Sequence, residues 1–192
     1  MSTDSHFTIR AATLSDVPAI LGLVEASVRG LQTNDYSPTQ IDASIGSAFG
    51  VDRQLIVDQT YFVVTPSVDP QNLVACGGWS FRKTLCGSDT LAAGCGAGTR
   101  DASTLDPADP TAFAKIRAIF VHPAWARRGL GSLVLAHCEA AAHAAGFKRF
   151  EMGSTLTGVP LYRLKGYTER SRSSIPLPHG EPLEVVHMKK ML

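Results

Sequence analysis

Apolar and polar residues alternate along this chain with two different periods, and the changes between them outline the fold. Phe7–Ala11 is a short apolar run and predicts a strand. Thr13 and Asp16 stand as in a capping box, Pro18 falls in a first turn, and Val17, Ile20, Leu21, Val24 and Val28 recur at helical spacing up to Gly30. Ser37-Pro38 opens a second helix, with Ile41, Ile45 and Phe49 on one face and Gly50 as its stop. Tyr61–Thr65 and Leu73–Phe81 read as strands, the second with Gly77-Gly78 inside it as a bulge or a point of close approach.

From Arg82 to Thr111 the periodicity lapses into Gly, Asp and Pro, which predicts one long loop at about 82–112. A loop of that length is either functional or a disordered insertion, and both readings stand. Order returns with a buried strand from Ile116 to Val121 that ends at His122-Pro123. A helix follows from about Arg128, with Leu130, Leu133, Val134, Cys138, Ala141 and Ala145 on its apolar face and Gly146 as its stop. Phe147–Met152 predicts a strand, Val159–Leu164 a short helix, and Tyr167–Ser171 and Leu183–Lys189 the last strands, with Pro176, Pro178 and Gly180 turning between them. The order is strand, two helices, three strands, helix, strand, helix, two strands. That predicts an α/β fold with a mixed sheet in a single domain over residues 1–192.

Composition narrows the function classes. At 192 residues, 44% apolar and 18% charged, the chain can bury a core without staples. A net charge of +1 implies no broad field for nucleic acid or an anionic membrane. Cys76, Cys86, Cys95 and Cys138 form no C-x-x-C pair and no zinc spacing, so free thiols and no metal site are expected. Residues 1–8 are polar, unlike a signal peptide, and no apolar run suffices to span a membrane, so a cytoplasmic location is expected.

The chemistry concentrates where the buried strand runs into the later helix. Gly129 and Gly131 open that helix behind Arg127 and Arg128. The first turn of a helix offers N–H groups without internal partners at its partly positive end. Glycine lets a ligand approach the backbone, so the segment suits a diphosphate. It lacks the P-loop run, and Val134 stands where a dinucleotide fingerprint needs its third glycine. On the glycines alone, a plain helix start with two exposed arginines explains the segment equally well.

The wider segment resembles the GNAT superfamily of acyl-CoA-dependent N-acetyltransferases. Val121-His122-Pro123 matches its V-x-P strand end, and Ala126-Arg127-Arg128-Gly129-Leu130-Gly131 matches its [QR]-x-x-G-x-[GA] turn, with Ala126 as the departure. Downstream, Leu161-Tyr162 with Gly166-Tyr167 matches the second motif, with Tyr167 for Phe and Thr155 where the family usually has Asn.

The resemblance implies a mostly antiparallel mixed sheet flanked by helices. It implies acetyl-CoA as cosubstrate, held by Arg127, Arg128, Gly129, Leu130, Gly131 and Ser132. It also implies acetyl transfer to a primary amine by direct attack in a ternary complex. Phe120 or Val121 would supply a backbone N–H to the thioester oxygen, and Tyr162 would protonate the leaving thiolate or only pack against the cofactor. The acceptor would be an amine-bearing small molecule or a peptide. Family members are often dimers, which leaves a homodimer open.

The usual strand Glu is replaced by Lys115. That leaves Glu25, Tyr36, Asp106, Asp109 or a water chain as the base, and supports a non-catalytic CoA-binding protein as the alternative. His122, before proline, reads as structural, and His137 and His143 as solvated. Trp79 and Trp125 read as packing residues. Arg82-Lys83 reads as a solvated pair or as a contact to CoA or an acidic acceptor. Asp35, Tyr36, Asp42 and Asp52 mildly favour a cationic acceptor.

Overall fold

The computed structural model describes residues 6–83, 103–178 and 180–192. Seven strands form one sheet in the order β1-β2-β3-β4-β5-β7-β6. They are β1 (Phe7–Ala11), β2 (Tyr61–Pro66), β3 (Ala75–Ser80), β4 (Ala114–Val121), β5 (Arg149–Thr155), β6 (Thr168–Ile175) and β7 (Leu183–Met191). Every neighbouring pair is antiparallel except β4 and β5, which run parallel. The helices are α1 (Val17–Leu31), α2 (Pro38–Ser44), α3 (Arg53–Val57), α4 (Leu130–Ala144) and α5 (Val159–Leu164).

The sheet divides the interior into two cores, because alternate residues of a strand face opposite sides. Phe62 and Val64 of β2 pack on the side of α4 and α5, with Leu130, Val134, Cys138 and Tyr162. Tyr61 and Val63 pack on the side of α1, α2 and α3, with Ile20, Val24, Val28 and Leu55. All six residues of β2 are buried, each large apolar one contributing about 1.5–3 kcal/mol on burial.

The predicted elements are present, with instructive differences. The second helix does not reach Gly50. It opens on a capping box, with Ser37 Oγ accepting from the Gln40 N–H at 3.2 Å, and stops at Ser44. Ile45 is extended, Gly46 has φ +77°, and Ile45 bridges Phe49 across the turn. A third helix, α3, then starts at Asp52, whose Oδ1 accepts from the Gln54 N–H at 3.1 Å. The apolar faces of α1 and α4 are as expected at Val17, Ile20, Val24, Val28, Leu130, Val134 and Cys138, and depart at single positions. Leu21, Leu133 and Ala145 are exposed, while Leu23, Leu135 and Ala142 are buried in their place.

Gly77 and Gly78 lie inside β3 because the sheet is crowded there. A Cβ at 77 would stand 2.7 Å from Val134 Cγ1, and one at 78 would stand 2.7 Å from the Thr60 carbonyl oxygen. Of the predicted loop at 82–112, residues 84–102 lie outside the described residues, as do Cys86 and Cys95. Its two ends are bonded together: Arg82 bridges Thr104, and the Leu105 N–H donates to the Phe81 carbonyl at 2.7 Å. Arg82 is not a solvated cation, since its guanidinium binds Asp58 at 2.7 and 2.8 Å. Among the described residues no helix is long and apolar enough to cross a membrane.

Candidate active site

The site is built where β4 departs from its neighbours. Against β3, Arg117 pairs with Gly78 and Phe120 with Cys76, so two residues of β4 oppose Gly77 alone. The extra residue is accommodated at Ala118, which has φ +53°, the signature of a bulge that bends and twists the strand. On its other side β4 pairs with β5 only at Ala114↔Phe150 and Lys115↔Glu151. Beyond those two pairs the parallel strands part, and a wedge-shaped gap opens toward the carboxyl end of β4.

Backbone direction in the gap follows from the pleat. The His122 N–H donates to the Val74 carbonyl at 2.9 Å, and the Phe120 N–H, two residues earlier, likewise faces the β3 side and the Cys76 thiol. The Val121 N–H points the other way and meets Ser27 Oγ of α1 at 3.4 Å. Of the two residues expected to donate to a thioester oxygen, Val121 therefore has its N–H on the side away from β3. Phe120 is buried, with its ring edge-on to Phe49 at 6.0 Å.

After β4 a 3-10 turn, Pro123–Trp125, leads to α4. His122, expected to be structural before proline, has its Nδ1 accepting from the Ala124 N–H at 3.2 Å. Trp125 packs edge-on to Phe7 at 5.7 Å and carries the Arg128 guanidinium over its ring at 4.7 Å. Arg127 (φ +64°) and Gly129 (φ +83°) both turn left-handed, and Gly129 caps α4 without any side-chain hydrogen bond. The N–H groups of Leu130, Gly131 and Ser132 are thus left to a ligand or water. Arg127, Arg128 and Gly129 are exposed, Gly131 and Ser132 are half-buried, and Leu130 anchors the turn in the core. Gly131 lies close under α5: a Cβ there would approach Leu161 Cδ2 at 3.0 Å.

Tyr162 of α5 is buried on the α4 side of the sheet, edge-on to Tyr167 at 6.0 Å. Burial, with a smaller contribution from nearby Cys138, raises its hydroxyl well above the ordinary tyrosine range, so it stays protonated at neutral pH. Thr155, in the position of the usual Asn, caps the 3-10 turn Leu156–Gly158 through Oγ1 and the Gly158 N–H at 3.3 Å.

The structure also shows where the carboxylates are. Lys115 forms an ion pair with Glu151 on the adjacent strand, and Lys189 of β7 lies 3.2 Å from the other Glu151 oxygen. Glu25 is paired with Arg29 at 2.9 Å, and Arg29 also holds Asp42 at 2.6 Å. Asp35 accepts from Thr157 Oγ1 at 2.6 Å. Asp52 is buried against Arg117 at 3.0 Å. The acidic residues that favour a cationic acceptor on sequence grounds are therefore engaged within the fold. Asp106 and Asp109 bind the backbone of their own turns, at Ala108 and Thr111. The Tyr36 hydroxyl is used in both directions, donating to the Glu184 carbonyl at 2.7 Å and accepting from the Leu156 N–H at 2.9 Å. His137 is not simply solvated: its ring stands edge-on to Phe62 at 4.4 Å.

The family described as the acetyltransferase (GNAT) domain matches residues 86–169. A search of curated proteins finds no match. Among solved structures, a GCN5-related N-acetyltransferase from Rhodopseudomonas palustris superposes with a TM-score of 0.69 at 18% identity, covering 100% of this chain and 99% of that one. The PaiA N-acetyltransferase of Thermoplasma acidophilum, solved with coenzyme A, gives 0.61 at 11% identity and covers 100% of both chains. A Salmonella typhimurium protein solved with its cofactor acetyl-CoA gives 0.59 at 15% identity, covering 98% and 95%. At these identities the superpositions establish the shared fold.

Proposed function

We propose that this chain, whose residues 86–169 match the acetyltransferase (GNAT) domain family and which shares its fold with solved N-acetyltransferases, transfers an acetyl group from acetyl-CoA to a primary amine by direct attack. The observation that carries the reading is the gap between β4 and β5, which runs from the bulge at Ala118 to the uncapped start of α4. A long, narrow cosubstrate with a diphosphate at one end and a reactive thioester at the other suits such a path.

The residues present fit that group. Leu130, Gly131 and Ser132 offer backbone N–H groups to the diphosphate, and Arg127 and Arg128 add positive charge in the same exposed turn. A thioester supplies an activated acyl carbon. We assign the contact to its carbonyl oxygen to the Val121 N–H, which already meets a hydroxyl oxygen. Tyr162, kept protonated by burial, donates its proton to the departing sulfur. A second reading, a protein that binds CoA without turnover, draws on Lys115 in place of the strand carboxylate.

Calorimetric titration with acetyl-CoA tests the site. Binding of micromolar strength is expected, weakened at least tenfold in a Gly129→Val, Gly131→Leu variant because Val is strained at φ +83°. Failure of the folded wild type to bind overturns the proposal. Free-thiol release with primary amines then separates the two readings. Tyr162→Phe should lower turnover about 10- to 100-fold with acetyl-CoA affinity unchanged. An unchanged rate removes Tyr162 from the chemistry, and binding without turnover on any amine favours the non-catalytic reading.

A further inference from the structure

The sheet has a second opening, on the α1 side, next to the gap. Gly153 lies in β5, an inner strand, yet it is exposed. The α4 side of β5 is closed, because Phe150, Met152 and Ser154 are buried there. The exposure of Gly153 is therefore on the opposite face, where no helix among the described residues covers it. Directly across from Gly153 on β7 is His187, one strand spacing away, about 4.8 Å. Across from His187 on edge strand β6 is Ser171, with Ser173 on the same face, and both serines are exposed. These residues outline a trough whose floor is glycine backbone. Lys115, Glu151 and Lys189 close one end, and the Tyr36–Leu156 contact closes the other.

This trough meets the gap. Lys115 and Glu151 are the last paired residues of β4 and β5, and Gly153 is two residues further along, where the strands have parted. An acceptor lying on Gly153 would therefore reach a thioester held at the end of β4.

We propose that His187 is the general base that prepares the acceptor amine, and that Ser173 orients it. Ser173 Oγ and His187 Nε2 are 2.8 Å apart. The two nitrogens of an imidazole diverge around the ring. With Nε2–H donated to Ser173 on the β6 side, Nδ1 carries the lone pair on the side away from β6. The other carboxylates and the tyrosine considered above are bound elsewhere, and His122 Nδ1 accepts a backbone N–H.

His187 Nδ1 takes one proton from the acceptor ammonium. The freed nitrogen lone pair forms the C–N bond and the C–S bond breaks. Tyr162 protonates the sulfur and is reprotonated by the second amine proton, and the imidazolium passes its proton to water. The charged groups on the face of His187 include Glu151 of β5, Lys189 of β7, Lys115 of β4, Arg117 of β4 with its partner Asp52, and Asp35 at the adjoining turn. On β6, Thr168, Ser171 and Ser173 pair across from this face of β7 and carry no charge, and Arg170 stands at the register shift beside Ser171.

The proposal rests on acetyl transfer, and the test keeps the two separable. Acceptor probes are pentylamine, 5-aminopentanoate, 1,5-diaminopentane and a hexapeptide with a free amino terminus, each followed by thiol release from acetyl-CoA. With the best probe, His187→Gln should lower kcat/KM for the amine about 100-fold or more, with acetyl-CoA affinity by calorimetry unchanged. Added imidazole should restore part of the rate to His187→Ala, which a purely structural role would not allow. Ser173→Ala should give a smaller loss, which Ser173→Thr recovers. Thiol release that His187→Gln leaves intact, or that imidazole fails to rescue, overturns the role of His187 alone. No thiol release with any probe overturns acetyl transfer and the base together.

Discussion

Single residues in this protein have two kinds of role that burial separates. Arg117 and Asp52 form an ion pair that is nearly inaccessible, with side-chain exposures of 6% and 4%, and Asp52 also caps α3. Removing one partner of such a pair strands a charge, whereas exposed pairs such as Arg29–Glu25 contribute little. His137 is a third case. It stands against Phe62, and burial lowers its pKa below 6.5. The unfolded chain then binds the proton more readily than the folded one, so stability rises with pH through that window. The contribution is absent as a penalty above about 6.5 and grows as pH falls below it. Thermal unfolding between pH 7.5 and 5.5 should show a decline in Tm that His137→Leu reduces. An identical decline in that variant would assign the effect to other groups.

At the level of elements, what was legible in the sequence was local. The strand, turn and helix from Val121 to Ser132 are contiguous, and the residues that make an open helix start are the ones that spell the motif. The five-residue helix α3 was not legible, because Asp52 is its only local signal and its burial is decided by the sheet beneath it. The partner of Lys115 was not legible either. Glu151 stands opposite it only through the register of two strands 36 residues apart. The same is true of His187, which becomes notable only beside Gly153.

The bulge in β4 belongs to this class. Nothing in Arg117-Ala118-Ile119 marks it, yet Ala118 takes φ +53°, a conformation that costs an L-residue about 1–2 kcal/mol. Ala118→Gly removes that strain while adding entropy to the unfolded chain, and should leave stability within about 1 kcal/mol and acetyl-CoA affinity unchanged. Ala118→Val, β-branched at a left-handed position, should destabilise by about 2 kcal/mol or more and weaken acetyl-CoA binding as the strand straightens. Chemical denaturation and calorimetry read both. Equal behaviour of the two variants would mean that the bulge does not depend on this residue.

At the scale of the whole molecule, the parted strands create a mechanical problem. β1–β4 and β5–β7–β6 are joined across the sheet by two residue pairs only, so something else must hold the two sides of the gap at a fixed separation. On the α1 side that work falls to the connection between α1 and α2. Tyr36, 5% exposed, donates to the Glu184 carbonyl of β7 and accepts from the Leu156 N–H just beyond β5. Asp35 binds Thr157, and Gln40 Nε2 donates to the Pro182 carbonyl at 2.7 Å. Burial pushes the Tyr36 hydroxyl up to about 12, so it remains a neutral donor and acceptor over the whole physiological range. Tyr36→Phe keeps the ring but leaves a part-buried carbonyl and a part-buried N–H without their partner, at a cost of about 1–3 kcal/mol for the two. The denaturation midpoint should fall accordingly, and amide exchange at Leu156 should accelerate more than exchange at Val63 in β2, far from the clamp. The acetyl-transfer rate should drop with it, since the same clamp sets the width of the gap at the end where the thioester would lie. A fall in stability spread evenly over both amides would show that Tyr36 supports the fold as a whole rather than the separation of β4 from β5.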